Sequence, residues 1–106
     1  MKNRTGLFCI ATTLSLQTMA FGADAVDGER FARRVCSTCH SVAAGPSPMP
    51  AAPPFATIAR SKNFRTQGSS LLFKSHPIMP NFAFTNEQAE DVVAYLKLLA
   101  RRPTRH

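Results

Sequence analysis

Five consecutive residues, Cys36-Ser37-Thr38-Cys39-His40, constrain this chain more than any other stretch. The run is C-x-x-C-H, the pattern of a covalent attachment site for c-type haem. Two thiols at that spacing can add to the two vinyl groups of a porphyrin and tether it permanently. The adjacent imidazole then lies over the iron and can donate a nitrogen as axial ligand. Two other chemistries use a C-x-x-C pair. A thioredoxin-like dithiol requires a βαβ pattern around it, and no strand pattern is visible. A structural zinc site needs four ligands, and only His76 is at useful distance to join Cys36, Cys39 and His40.

The start of the chain reads as a secretory leader. Lys2 and Arg4 form a basic head, and an uncharged stretch runs from Leu7 through Leu14, Leu16 and Met19. It is short for a bilayer span, which makes a retained anchor the weaker alternative. Small residues permit cleavage after Gly22, in Ala20-Phe21-Gly22, or after Ala25, in Ala23-Asp24-Ala25; the second is preferred. The expected organisation is a signal peptide over 1–25 and one domain over 26–106. Cys9 leaves with the leader, so the mature chain keeps only the C-x-x-C pair. Export to an oxidising compartment would turn two neighbouring free thiols into a disulfide, so capture by haem explains the pair better.

A domain of about 80 residues has a marginal apolar core of its own. Six phenylalanines remain in it, Phe31, Phe55, Phe64, Phe73, Phe82 and Phe84, more aromatic surface than a few short helices need for one another. An attached porphyrin would complete that core. The formal charge is +7, and losing Lys2, Arg4 and Asp24 leaves the domain strongly basic. Export and the absence of an aromatic-basic recognition motif argue against nucleic acid. An acidic protein partner or an anionic surface is the better inference.

Helical punctuation is clear at both ends. Asp24 or Asp27 can cap a first helix with Glu29 in its first turn, and Val26, Phe31 and Val35 share neighbouring turns. Residues 42–54 contain five prolines and form a loop that lies on the haem. Pro54 introduces a short helix, Phe55-Ala56-Thr57-Ile58-Ala59, with Phe55 and Ile58 on one face. A polar stretch follows to Gly68, then a short helix through Phe73 that ends near His76-Pro77. Thr85-Asn86-Glu87-Gln88 is a capping box, followed by Val92, Leu96 and Leu99 at helical spacing and closed by Arg101, Arg102 and Pro103.

This order of features resembles the small monohaem class I c-type cytochromes, over nearly the whole mature chain. The resemblance implies an all-α cytochrome c fold, three to four short helices wrapped round one haem c bound through Cys36 and Cys39. In that family a glycine eight residues before the first cysteine lets the first and last helices cross closely, and Gly28 matches. A Tyr-Leu pair in the closing helix matches Tyr95-Leu96. A proline carbonyl in the loop accepts a hydrogen bond from the ligand histidine; Pro53 and Pro54 are both candidates. This chain is shorter than mitochondrial-type relatives in its middle region, so their propionate contacts are not transferable.

Iron held by His40 needs a ligand on the opposite face. Met79, between Pro77 and Pro80, is the expected one, a soft thioether that raises the potential relative to imidazole. The family places its methionine before a proline in the loop ahead of the last helix, as in Met79-Pro80. His76 would instead give bis-histidine iron of lower potential. Met49 lies only nine residues beyond His40 and would have to wrap round the haem edge. Phe55, Ile58, Phe73, Phe82 and Tyr95 are expected to exclude water from the haem. The expected role is a periplasmic electron carrier, not an enzyme, free as a monomer or as a small subunit of a larger complex. Membrane contact is expected only through partner complexes. Lys62, Lys74, Arg33 and Arg34 are candidates for steering an acidic redox partner. The alternative is a haem sensor or peroxidase-like protein with an open or labile sixth position.

Overall fold

A computed structural model describes residues 6, 11–13, 22–74, 79 and 83–103. Four α-helices, α1 (Ala25–Val35), α2 (Phe55–Ala59), α3 (Lys62–Gln67) and α4 (Asn86–Arg101), are joined by loops, with a 3-10 helix at Gly68–Phe73. No strand occurs among the described residues, and the all-α architecture expected from the sequence is the one observed.

The crossing of α1 and α4 frames the domain. Asp24 caps α1: its side chain accepts from the backbone N–H groups of Val26 at 2.8 Å and Asp27 at 3.2 Å. The Asp24 N–H itself donates to Asp91 Oδ1 at 2.8 Å, which ties the start of α1 to α4. Gly28 then lies directly against the α4 backbone. A Cβ placed there would collide with the carbonyl of Asp91 and come within 2.9 Å of the Val92 nitrogen. The face α1 buries is therefore Gly28 and Ala32, one helical turn apart. Val26, expected on the apolar face, is 57% exposed, because the close approach of the helices selects small residues.

Helix α4 begins as its sequence implies. Thr85 Oγ1 accepts from the Gln88 N–H at 3.1 Å, and Gln88 Oε1 accepts from the Thr85 N–H at 3.0 Å. Ala89, Val92, Val93, Tyr95, Leu96 and Leu99 are buried along its length. Its far end is held by Arg60, whose guanidinium donates to the Arg102 carbonyl at 2.8 Å and to the Leu99 carbonyl at 3.4 Å. A third bond, from Arg60 to the Ala56 carbonyl at 3.0 Å, joins that end to α2. Carbonyls in the last turn of a helix have few intrahelical donors, and a cation is favoured there.

The polar stretch after α2, to which the sequence assigned no element, is helical. Ser61 caps α3 by accepting from the Phe64 N–H at 3.1 Å, and Phe64 turns inward to join the core, 5% exposed. One inward phenylalanine supplies the packing that the polar composition conceals. Apart from the Tyr95 hydroxyl, no polar or charged residue is fully buried among the described residues.

Candidate haem attachment site

The C-x-x-C-H run sits where α1 ends. Cys36 is the C-cap of α1, its N–H donating to the Ala32 carbonyl at 2.8 Å. The chain then turns back on itself: the Cys36 carbonyl accepts from the Cys39 N–H at 3.2 Å and from the His40 N–H at 2.9 Å. Ser37 Oγ donates to the Arg33 carbonyl and adds to the same turn. Both cysteines are free and half-buried. Burial pushes the Cys36 thiol up to about 11, so it is held as a neutral thiol. A reactive dithiol is favoured by the opposite shift.

The proline-rich loop is ordered against this turn. The Met49 N–H donates to the Cys39 carbonyl at 3.1 Å, and the Ala52 N–H donates to the Met49 carbonyl at 2.9 Å. These bonds bring the loop back to His40, whose Nδ1 lies 2.6 Å from the Pro53 carbonyl oxygen. A carbonyl can only accept, so Nδ1 is the donor and Nε2 is the ring nitrogen left to bind a metal. Of the two prolines left open by spacing, Pro53 is the one in contact; Pro54 serves as N-cap of α2. The Met49 backbone is thereby bonded to Cys39 on one side and to Ala52 on the other.

Behind the imidazole stands an aromatic wall. Phe55 meets the His40 ring edge-on with centroids 5.5 Å apart, and Tyr95 lies 6.4 Å beyond Phe55. The Phe55 N–H donates to the Ser41 carbonyl at 2.8 Å, fixing the start of α2 to the residue after His40. Tyr95 is fully buried and its hydroxyl donates to the Val42 carbonyl. Burial also raises the Tyr95 phenol above its ordinary value, so it stays a donor. Ile58 is partly buried against the same cluster.

Phe73 stands apart from that wall. It is 47% exposed and meets Phe84 edge-on at 6.3 Å, while Phe84 meets Phe31 at 5.7 Å. The chain alone therefore does not bury Phe73 as a water-excluding side chain. Met79 is half-buried. His76 and Phe82 lie outside the described residues, as do the prolines flanking Met79. No three His, Cys, Asp or Glu side chains converge on one point among the described residues.

The donor set suits haem. Two free thiols on one turn, an imidazole whose Nδ1 is held by a backbone carbonyl, and an apolar wall are what thioether attachment and axial ligation require. An all-α fold with such a turn closing its first helix defines a c-type cytochrome. A curated relative bears this out: cytochrome c-552 of Bradyrhizobium diazoefficiens is 34% identical over 93 residues, 86% of this chain and 89% of the relative. No protein-family model matches the chain, and no solved structure matches it. The chain belongs to the small c-type cytochromes, electron carriers rather than enzymes, whose cofactor is covalent haem c with its iron.

Proposed function

We propose that this chain is an exported carrier of single electrons, with haem c held through Cys36 and Cys39 and ligated by His40 and Met79. The observation that carries this reading is the 2.6 Å contact between His40 Nδ1 and the Pro53 carbonyl, which fixes the ring and leaves Nε2 as the donor. Bound haem c supplies a site that alternates between ferrous and ferric iron. The chain supplies the rest. Cys36 and Cys39 anchor from one turn, so the attachment is stiff. The Pro53 carbonyl raises the basicity of His40 through its Nδ1 proton. Phe55, Ile58 and Tyr95 keep water from the proximal side.

Met79 is the second ligand on chemical grounds: a thioether before a proline, in the loop ahead of the last helix. Two tight ligands leave no position for a substrate, which agrees with transfer of electrons rather than bond-making. The leader places the work in the periplasm; no described helix is long and apolar enough to cross a membrane. Arg34, Lys62 and Lys74 are exposed and suited to an acidic redox partner. Arg33 is less so, since its guanidinium is held by Glu29 at 2.8 Å.

The test is the visible spectrum of protein matured in a periplasm, ferric and ferrous, with and without carbon monoxide. The reading expects low-spin iron, a weak red sulfur-to-iron band in the ferric form, and no response to carbon monoxide. Met79→Ala should abolish the band and His76→Ala should keep it. A band lost in neither variant would remove Met79 as ligand. A high-spin spectrum shifted by carbon monoxide would favour the sensor or peroxidase-like alternative.

A further inference from the structure

Two cleavage points satisfy the small-residue rule for leader removal, and the fold distinguishes them. We propose that the leader is cut between Gly22 and Ala23, so that the mature protein opens on Ala23-Asp24. The inference rests on the export reading above and goes beyond it by fixing the new terminus.

Asp24 is part of the folded domain. Its carboxylate caps α1 through the N–H groups of Val26 and Asp27, and its carbonyl accepts from the Gly28 N–H at 2.9 Å. Its own N–H donates to Asp91 Oδ1 at 2.8 Å, a contact between residues 67 apart. A cut after Ala25, the preferred site on sequence alone, would remove all four hydrogen bonds. It would also replace an acidic cap with an ammonium group on Val26, at the positive end of the helix dipole. The new end would lie only two residues from Gly28, whose contact with Asp91 and Val92 sets the helix crossing. Fraying would begin at the position that can least tolerate it.

A cut after Gly22 keeps every one of those contacts. Water adds across the Gly22–Ala23 amide, catalysed by a signal peptidase, leaving a carboxylate on Gly22 and an ammonium on Ala23. That ammonium is one residue from Asp24, whose carboxylate still caps α1 and whose N–H still donates to the Asp91 carboxylate. Gly22, Ala23 and Asp24 are exposed and precede the first helical residue, whereas Ala25 and Val26 lie inside α1.

The experiment expresses the full chain with haem maturation in a bacterial periplasm and reads the N-terminal residues of the haem protein. The expected sequence is Ala-Asp-Ala-Val. Ala25→Leu, which spoils only the second site, should leave that terminus unchanged, whereas Gly22→Leu should abolish it. A terminus at Val26, or one that moves in Ala25→Leu, would overturn the proposal and leave export standing. An intact Met1 on the haem protein would overturn both.

Discussion

Substituting alanine for Gly28 tests the helix crossing on which the domain is framed. The added methyl would overlap the Asp91 carbonyl and lie 2.9 Å from the Val92 nitrogen. Both neighbours are backbone of α4, so no side-chain rotation relieves the clash, and the helices must separate. Overpacking of this kind costs about 1–3 kcal/mol, and a clash with backbone belongs at the upper end. Alanine returns about 1 kcal/mol through its better helix propensity. The net is a loss of about 2 kcal/mol. At roughly 4–8 °C per kcal/mol for a domain this small, the melting temperature should fall by about 10 °C. Thermal unfolding of the haem protein, followed by far-UV circular dichroism, reads this directly. Arg30→Ala on the exposed side of α1 is the control and should shift the midpoint little. A Gly28→Ala protein that melts at or above the parent would refute the close crossing.

Three further outcomes follow from the same geometry. Tyr95→Phe leaves the Val42 carbonyl buried without its donor, and should cost about 1–3 kcal/mol in denaturant unfolding while the ferric spectrum is kept. Thr85→Ala removes the acceptor for the Gln88 N–H and should cost about 1 kcal/mol in the same assay, with Thr85→Ser close to neutral. Arg60→Ala takes the guanidinium from the carbonyls of Ala56, Leu99 and Arg102, leaving Leu99 only the Arg102 N–H; amide hydrogen exchange should accelerate in the last turn of α4 with the first turn unaffected.

What was legible in the sequence was local or carried by the family pattern. The capping box over Thr85 and Gln88 is a four-residue device, and both of its hydrogen bonds are present. Gly28 matched the family's spacing, and the structure supplies the reason in the α4 backbone behind it. What escaped depends on partners far along the chain. Nothing near Val42 announces that the Tyr95 hydroxyl will need its carbonyl, and nothing near Arg60 announces the end of α4. The choice of Pro53 over Pro54 turns on how residues 46–52 fold back through Cys39, which spacing does not encode. Helix α3 was hidden because a single inward Phe64 carries its packing. Val26 was misplaced because apolar periodicity favours large residues, whereas this interface is built from Gly28 and Ala32.

The central claim is that Cys36 and Cys39 carry haem covalently. Its most direct test is the intact mass of the exported protein under denaturing conditions, which strip any haem held by ligation alone. The account expects the mature polypeptide plus one haem, with that added mass surviving acid and denaturant. A mass equal to the polypeptide alone, or to the polypeptide less two hydrogens from a Cys36–Cys39 disulfide, would contradict it.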